Sequence, residues 1–575
     1  MTYKRKYNLL NSKFKELFFP TLLAAIAGNF ALLADAFVIS ALLGSLNLSV
    51  VQSIEPLAQF SNMIYWLIGF GGTILATSAK ANFDDEKANY LFTVSIIGII
   101  IISLLITVLG YLFPDSFLQI LCNSDHLKPL VFEYLKYYLL AIPLMSYFIV
   151  LAYFIKNDDF VQLQFRGFLL ANILNVVFDI VLIQYFHMGI SGAALGMVLG
   201  YLIAAIYIST YFFSSRRTLK FIKIEFVKSM KYLKDICKTG YPSSSIALYQ
   251  SVKLIVINFI ILEVLSHVGL VAFNMCCNAL LLVSIFIFGT SQSILPIVTV
   301  YYQEKDYNGV DYVVRRSLKI AIAFGVFFTA LFCIYPQSLL YLFSVNNPLD
   351  IPTVMNAVRI FSLCILAYSI NFIYMFYLQS IQNLKLANIV TILNGLIFPA
   401  TFVFIFSIIW KENGIWFGFV ASEIATLIFI YIYSKYLHKK TNGKYTGLFL
   451  KKQNDKDEKI MEYTIQGDKN DVSGLSKEVK QFIDDEKASL LISTALKEMI
   501  DYILDINDKL DWIDVIIREN NEIGIISIKY SGIGYNPEEN PNLNSANIEK
   551  LFDISDNIEY SQILGLNNTV ITIKK

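Results

Sequence analysis

The chain has 575 residues, of which 56% are hydrophobic and 16% charged, and its formal net charge is +1. This composition excludes an ordinary soluble domain and an intrinsically disordered chain, because both carry a larger polar fraction. We therefore expect a membrane protein. We also expect no enzymatic activity, no cofactor or resident metal, and no nucleic-acid partner.

Apolar runs of about twenty residues recur along the first three quarters of the chain, and a helix of this length crosses a bilayer. The first run is too long for a signal peptide and should remain in the membrane. The pattern predicts an all-α membrane region of twelve transmembrane helices. They cover residues 18–43, 52–77, 92–113, 136–156, 165–184, 191–213, 241–264, 270–295, 316–335, 357–380, 386–409 and 414–437.

Charge divides the chain into modules. Residues 456–575 hold 23 acidic and 13 basic residues, so the apolar part carries the compensating positive excess. Basic residues cluster before helix 1, in the link "SSRRTLKFIKIEFVKSMKYLKDICK" and after helix 12, which places both termini in the cytoplasm of a multi-pass cell-membrane protein. The predicted segments are an N-terminus (1–15), a six-helix lobe (16–213), a basic cytoplasmic linker (214–240), a second six-helix lobe (241–437), a linker (438–458) and a cytoplasmic domain (459–575).

The apolar region also repeats itself. "LFPDSFLQIL" after helix 3 corresponds to "IYPQSLLYLF" after helix 9, at an offset of roughly 220 residues. Copies with an even number of helices have the same orientation in the membrane. This is the parallel-repeat plan of several transporters, in which the substrate lies between the two copies near the midplane.

Helices 1 and 5 contain acids. Asp35 lies in "FALLADAFVISALL" of helix 1, and "LLANILNVVFDIVLI" of helix 5 carries Asn172, Asn175 and Asp179 at spacings of three and four, on one side of a helix. A carboxylate at bilayer depth costs at least about 2.5–3.5 kcal/mol, so it should face a polar partner or water. Alternatively, such residues only hydrogen-bond helices together, which we favour for Asn172.

The chain resembles the multidrug and toxic compound extrusion (MATE) family over residues 15–437. The match is carried by "LLADAFVISALLG", "NILNVVFDIVLI", "MGISGAALG", "TGYPSS" and "GIWFGFVASE". The resemblance implies two six-helix lobes around a central cleft. It also implies export of organic cations and other amphipathic compounds, driven by entry of protons or sodium ions.

The resemblance also assigns an ion site. In that family the matching aspartate of helix 1 joins the asparagine and aspartate of helix 5, so proton or sodium coupling falls to Asp35, Asn175 and Asp179. A threonine that completes the family site is Met197 here. Loss of that oxygen favours protons over sodium.

Helix 7 contains Lys253, about ten residues from its cytoplasmic end. A lysine this deep requires a cavity or a partner, because snorkelling reaches only a short distance. Lys253 either lines the cleft and favours anionic or zwitterionic cargo, or pairs with an acid across it. We group Asn172 and Met197 with it as possible cleft residues.

The tail predicts a small α/β sandwich. "KIMEYTIQ" indicates a strand, "SGLSKEVKQFIDDEK" and "ASLLISTALKEMIDYILDIN" indicate helices, and "WIDVIIREN", "EIGIISIKYSG" and "NTVITIKK" indicate strands. "NIEKLFDIS" is a further possible helix.

This order resembles the ATP-binding fold of anti-sigma-factor and histidine kinases. Glu498 matches the glutamate of that family's helix, and Gly532 and Gly534 match its glycines. Tyr502 replaces the asparagine that holds Mg²⁺, and Tyr530 replaces the aspartate that reads adenine. The segment "EYSQILGLNN" resembles the glycine-containing lid. The resemblance therefore implies the fold with weak or no nucleotide binding, and a role in regulation or in binding a cytoplasmic protein.

The leading hypothesis is a secondary antiporter that exports drug-like or amphipathic small molecules in exchange for protons or sodium ions. A second is a flippase for a lipid-linked precursor, supported by Lys253. A third is a membrane sensor that signals through its tail.

Overall fold

The computed structural model describes residues 4–43, 45–121, 127–342, 351–443, 445, 459–483, 485–507, 510–520, 522–534, 551 and 553–574. Long helices make up the part before residue 441, and a five-stranded sheet with two helices makes up the tail. The architecture thus changes where the sequence changes from apolar to acidic.

The first half of the apolar region consists of helices joined by short connections. They are α1 (Asn8–Leu43), α2 (Ser45–Ala81), α3 (Asp85–Leu112), α4 (Pro114–Leu121), α5 (Lys128–Asn157), α6 (Val161–Ile180) and α7 (Ile190–Ile208). A π-helical turn, Val181–Tyr185, continues α6, and a 3-10 turn, Ser209–Phe213, continues α7. π-Turns inside helices often mark functional positions.

The second half has a similar plan. Its helices are α8 (Phe226–Gln303), α9 (Tyr307–Ile334), α10 (Gln337–Leu342), α11 (Ile351–Ser362), α12 (Cys364–Ser380), α13 (Leu384–Ile392) and α14 (Phe398–Lys440). A π-helical turn, Leu393–Ile397, joins α13 to α14. α14 is interrupted at Lys411, whose φ of 49° is not helical.

By length and hydropathy, eight helical segments of the described chain can cross a membrane, or nine if the pair Ile351–Ser362 and Cys364–Ser380, bent by 43°, forms one span. The twelve apolar segments of the sequence fall within helices, apart from single residues at 113, 335 and 363. The number of twelve spans stays a prediction.

Local backbone features recur at the spacing of the sequence repeat. Phe83 and Lys305 both have positive φ, 59° and 60°. The next residues, Asp84 and Asp306, each accept a backbone N–H at the start of the following helix. The two π-helical turns also occupy matching positions. These features support an internal duplication.

Two helices extend beyond the predicted apolar spans into the neighbouring segments. The linker expected at 214–240 lacks helix only over 214–225, because α8 already begins at Phe226. Besides its basic residues, the predicted linker contains Leu233 and Ile236, which pack into an apolar cluster of the first half. α1 likewise begins at Asn8 rather than after residue 15. Amphipathic helices continue these spans beyond their apolar runs.

The tail is a two-layer α/β unit. Its strands are β1 (Lys459–Ile465), β2 (Ile513–Glu519), β3 (Ile523–Tyr530), β4 (Asn557–Ile563) and β5 (Leu566–Lys574), all antiparallel in the order β1-β2-β3-β5-β4. The helices are α15 (Lys469–Phe482) and α16 (Glu486–Ile506). Apolar residues of both helices and of the sheet form one core. Of the possible helix 547–555, residues 547–550 and 552 lie outside the described residues.

The lid expected at "EYSQILGLNN" was a wrong interpretation. This stretch forms most of β4, a tight turn and the start of β5. Leu564 and Gly565, with φ of 56° and 69°, make the turn. Positive φ at both central residues matches the twist of a two-residue hairpin, so the glycine serves the turn rather than a phosphate.

Close helix packing joins the two halves. A Cβ at Gly71 on α2 would overlap the carbonyl oxygen of Ile236 on α8, and a Cβ at Gly240 on α8 would overlap the carbonyl oxygen of Leu67. The absence of both side chains lets the two backbones touch.

Near this contact, aromatic rings close the space between the halves. We call Trp66, Phe70, Tyr153, Phe288 and Phe376 the aromatic seal. Ring centroids lie 6.2 Å apart for Trp66 and Phe288, and 6.1 Å apart for Phe70 and Phe376. The seal therefore packs α2 of the first half against α8 and α12 of the second half.

We expect Gly71→Ala and Gly240→Ala to destabilise the purified protein by about 1–3 kcal/mol each, because the added methyl meets backbone. Thermal unfolding in detergent measures the effect. Gly98→Ala is the control, since its nearest contact would be an ordinary 3.4 Å to Leu233. An equal loss of stability in all three variants would contradict this account.

Candidate functional site

Asp35 and Asp179 meet in the first half. α1 packs against α6 and brings the Asp35 carboxyl close to the Asp179 carboxyl, without a hydrogen bond between them. Asp179 is fully buried and Asp35 is half-buried. The two acids therefore form one site rather than lying on opposite sides of the helix bundle.

Several polar atoms around this pair lack a donor or acceptor. Both carboxylate oxygens of Asp179 and Oδ1 of Asn175 are buried and accept no hydrogen bond from the described residues. Nδ2 of Asn172 is also buried and donates no hydrogen bond to the described residues. Buried polar atoms are normally satisfied, so such exceptions need an explanation. Three oxygens without donors fit a bound proton or a small hard cation.

A glycine makes room for the buried carboxyl. A Cβ at Gly196 of α7 would overlap Oδ1 of Asp179, and one at Gly200 would lie 3.1 Å from the backbone N of Asn175. With Gly192 these residues form a run at four-residue spacing along α7, the pattern of closely packed membrane helices. The sequence shows the spacing of these glycines but does not show that they pack against α6.

Met197 supplies no oxygen to the pair. It packs at the edge of an apolar cluster that contains Ile39, Tyr134 and Tyr138. Tyr134 lies within electrostatic range of both acids, and Tyr201 lies within range of Asp35. Sequence analysis missed these two tyrosines, because nothing in an aromatic-rich chain distinguishes them from lipid-facing ones.

A second polar centre lies in the second half, where a cavity of about 360 Å³ is lined by Lys253 on α8 and Glu423 on α14. Asn371 and Asn394 each donate a side-chain N–H to Oε2 of Glu423 at 2.7 Å. Lys253 therefore lines a cavity within the second half, and its place in a cleft between the halves stays a prediction. Asn172 and Met197 do not line it.

The second centre could be located only in part from the sequence. Asn394 lies in the second π-helical turn and Asn371 in α12, on either side of the carboxylate. Two isolated amides on different helices give no linear motif, so their convergence on Glu423 needed the fold.

No group of three or more His, Cys, Asp or Glu side chains that could hold a metal ion occurs within the described residues. The acid pair and Asn175 thus offer carboxylate and amide oxygens, which suit a proton or Na⁺ better than a transition metal.

The tail site is filled by its own side chains. Tyr502 and Tyr530 are buried, and Glu498 is half-buried. A Cβ at Gly532 would overlap Oδ1 of Asn507, and one at Gly534 would overlap the Tyr560 hydroxyl. The glycine segment is thus packed against protein.

Hydrogen bonds hold this segment in place. Asn507 Oδ1 accepts the backbone N–H of Ile533 at 2.7 Å, and Asn567 Nδ2 donates to the carbonyl of Gly532 at 3.0 Å. These backbone groups are already satisfied by the protein.

Comparison with known proteins identifies relatives of the helical region. The MatE family model matches residues 20–181 and 242–404. The multidrug export protein MepA of Staphylococcus haemolyticus (strain JCSC1435) is 24% identical over 368 residues, 64% of this chain and 80% of that protein. MepA of Staphylococcus aureus (strain MRSA252) is 24% identical over 410 residues, 70% of this chain and 87% of that protein.

Solved structures share the fold. An outward-facing multidrug resistance MATE transporter of the MOP superfamily has a TM-score of 0.69 and 20% identity, covering 75% of this chain and 96% of that one. A MOP superfamily transporter from Pyrococcus furiosus, described as having a binding pocket of reversed polarity, has a TM-score of 0.68 and 19% identity over the same shares.

We expect Gly196→Ala to lower stability by about 1–3 kcal/mol through overpacking against the Asp179 carboxyl. Thermal unfolding of the single variants Gly196→Ala and Asp179→Ala and of the double variant tests the cause. If the carboxyl is the obstacle, Asp179→Ala removes most of the penalty of Gly196→Ala. Strict additivity of the two changes would place the clash elsewhere.

Proposed function

Because this chain belongs to the MATE family of transporters, we propose that it is a secondary antiporter that exports drug-like, amphipathic solutes in exchange for protons. The observation that carries the proposal is the contact between Asp35 and Asp179, with buried oxygens that accept no hydrogen bond. The names of the MepA relatives support multidrug export as the class of activity.

Proton exchange follows from the electrostatics of the pair. Ionisation of both of two neighbouring carboxyls, one of them fully buried, is strongly disfavoured unless a cation lies between them. Entry of one proton neutralises the pair, and its loss restores repulsion between α1 and α6. The position of α1 thereby becomes linked to protonation, and movement of α1 changes the shape of the first half.

Protons are favoured over sodium by the donor set. The pair and Asn175 supply few oxygens, and Met197 contributes an apolar side chain instead of a further ligand. Na⁺ needs several oxygen ligands to replace its water shell, whereas a proton needs only one carboxyl and one acceptor.

The membrane arrangement is part of the proposal. Twelve spans form two lobes of parallel orientation, and both termini lie in the cytoplasm, where the basic loops place them. The aromatic seal then closes the cytoplasmic side of the cleft. Cargo released from this state leaves toward the outside, and cargo enters after the seal has parted.

The tail is an accessory domain without nucleotide chemistry. Tyr502 and Tyr530, at the positions of the metal-binding and adenine-reading residues, are buried. The glycine segment is held by Asn507 and Asn567. Its role is regulation of the transporter or recognition of a cytoplasmic protein partner. Under this proposal the protein still transports solutes, and any sensing by the tail acts in addition to transport.

A flippase is the second candidate, favoured by Lys253 in the cavity. A lipid-linked precursor carries phosphates that an ammonium group attracts. Vesicles that contain either fluorescent cations or lipid-linked sugars separate the two activities. If the protein moves only the lipid-linked sugar, it is a flippase and the antiporter proposal is wrong.

We expect Asp179→Asn to abolish proton-driven export, because the amide keeps the shape of the carboxyl but cannot bind and release a proton. Solute efflux from proteoliposomes is measured under a proton gradient and, separately, under a sodium gradient. The wild type should respond to the proton gradient. A response to sodium alone would overturn the choice of ion.

The matched control is Asp311→Asn. It makes the same chemical change in a surface ion pair with Arg315 and should export at the wild-type rate. Undiminished efflux by Asp179→Asn, at equal amounts of inserted protein, would refute the role of the acid pair.

A further inference from the structure

The cavity of the second half contains two opposite charges that the proposed proton exchange does not use. Lys253 and Glu423 lie within electrostatic range of each other and both line the cavity. No ion pair of 4.0 Å or less joins them in the described chain. Each charge therefore remains accessible to a ligand.

The two charges differ in how the protein supports them. Asn371 and Asn394 hold Oε2 of Glu423 at 2.7 Å each, which fixes the carboxylate in position. Lys253 has no hydrogen-bond partner in the described chain. Because Glu423 is too far away to form an ion pair, the ammonium group in this largely apolar cavity is stabilised further by a bound anion.

The remaining lining suits an amphipathic molecule. Aromatic side chains make up much of the wall: Phe273, Phe361, Tyr368, Phe372 and Phe419. A volume of about 360 Å³ is within the range of small-molecule sites. Aromatic faces also attract organic cations.

We propose that this cavity binds a soluble zwitterionic amphiphile, with its anionic group at Lys253 and its cationic group at Glu423. The inference rests on the proposed function only in taking this ligand to be exported cargo. Binding itself is independent of the acid pair of the first half.

Three ligands with the same alkyl chain test the charges separately: hexylphosphocholine, hexyl phosphate and hexyltrimethylammonium. Binding to the full chain in nanodiscs is measured by thermal shift. The zwitterion should bind about tenfold or more tightly than either singly charged ligand, as expected for one additional charged contact. Lys253→Gln should remove the preference over the cation, and Glu423→Gln the preference over the anion.

Equal affinity for the three ligands, or unchanged preferences in both variants, would overturn the proposal. Asp179→Asn should bind the zwitterion with wild-type affinity while failing to export it. If it exports normally, the proposed function fails and the binding site stands.

A native thiol reports the location of binding. Cys277 lines the cavity, whereas Cys333 lies on α9 outside its lining. Hexylphosphocholine should slow alkylation of Cys277 and leave that of Cys333 unchanged, as read by peptide mass spectrometry. Equal protection of both thiols, or of neither, would place the ligand elsewhere.

A separate set of contacts concerns the tail, which is attached to the second half by buried ion pairs. Arg5 of the N-terminal segment is buried and donates two hydrogen bonds to Asp306, at 2.9 and 2.8 Å. The same guanidinium lies 3.5 Å from Asp514 and 3.6 Å from Glu462 of the tail. Arg5 thus joins three parts of the chain.

These charges are strongly coupled. Burial by itself raises the pKa of Asp306, but the Arg5 guanidinium outweighs it and lowers that pKa to about 2. Burial raises the pKa of Asp514 despite the proximity of Arg5. Asp306 therefore stays ionised at physiological pH and holds Arg5 in place.

A second polar contact surrounds Glu304, directly after α8. Its carboxylate accepts a hydrogen bond from Asn568 at 2.8 Å and forms an ion pair with Lys529. Its backbone carbonyl accepts a hydrogen bond from Arg518 at 2.8 Å. All three donors belong to the tail sheet, so β2, β3 and β5 are fixed to the end of the second half.

The β4–β5 hairpin contacts the first half. Ile563 and Leu564 belong to the same buried apolar cluster as Phe14 and Val161. A Cβ at Gly565 would overlap the carboxylate of Asp159, in the connection between α5 and α6. The tail therefore contacts both halves at the end where the aromatic seal closes.

We infer that the docked tail is a brace that holds the two halves together at this end, so that the hairpin must leave the first half before the seal opens. Transport then depends on undocking, and a partner that binds the tail acts through this step.

A reversible crosslink tests the brace in the full chain. Asp159→Cys with Gly565→Cys places two thiols in contact, and mild oxidation locks the hairpin to the first half. We expect export by the oxidised double variant to fall about fivefold or more and to recover on reduction. Each single variant should export at the same rate under oxidising and under reducing conditions. Export at the unlinked rate by fully crosslinked protein would overturn the inference.

A charge swap distinguishes loosening from misfolding. Lys529→Glu opposes Glu304 and should raise the export rate by weakening the brace. The double variant Lys529→Glu with Glu304→Lys should restore the wild-type rate. The inference fails if Lys529→Glu exports no faster than the wild type while the double variant exports at the wild-type rate. In that case the ion pair has re-formed and docking does not limit transport.

Discussion

A charged or strongly polar group inside an apolar helix bundle must be met by another polar group, because the surroundings offer it no solvation. This constraint positions the helices that carry chemistry here. Asp179 is fully buried and has the Asp35 carboxyl as its neighbour. Glu423 is met by the amides of Asn371 and Asn394. Each half thus has one polar centre that links helices distant in sequence.

The two centres differ in what they can exchange. The acid pair has like charges and buried oxygens without donors, so it is suited to gaining and losing a proton. The second centre has opposite charges around a cavity with aromatic walls, so it is suited to holding a ligand. Between them, close packing of α2 on α8 and the aromatic seal give the two halves a common boundary. A movement started at one centre can reach the other only across this boundary.

Sequence periodicity predicted the helices and most of the tail, because a long apolar run and an alternating strand leave few other ways to bury the same residues. It failed where tertiary contacts decided the local structure. The helical start of α8 depends on Leu233 and Ile236 finding an apolar cluster. Gly565 was interpreted as part of a lid, but the backbone angles of Leu564 and Gly565 are those of a hairpin turn. The interruption of α14 at Lys411, by contrast, lies in the predicted gap between residues 409 and 414.

The sequence by itself determined that this is a membrane protein with an internal repeat, with acids and lysines in apolar helices, and with a separate acidic tail. Composition and spacing are enough for these conclusions, because a charged residue is costly anywhere in an apolar transmembrane run and therefore stands out. Only the tertiary structure decided which charges meet. Asp35 reaches Asp179 across 144 positions of chain, and Arg5 reaches both Asp306 and Asp514. Such pairings depend on how helices cross and on where glycines allow backbones to touch, and neither is encoded in a local pattern.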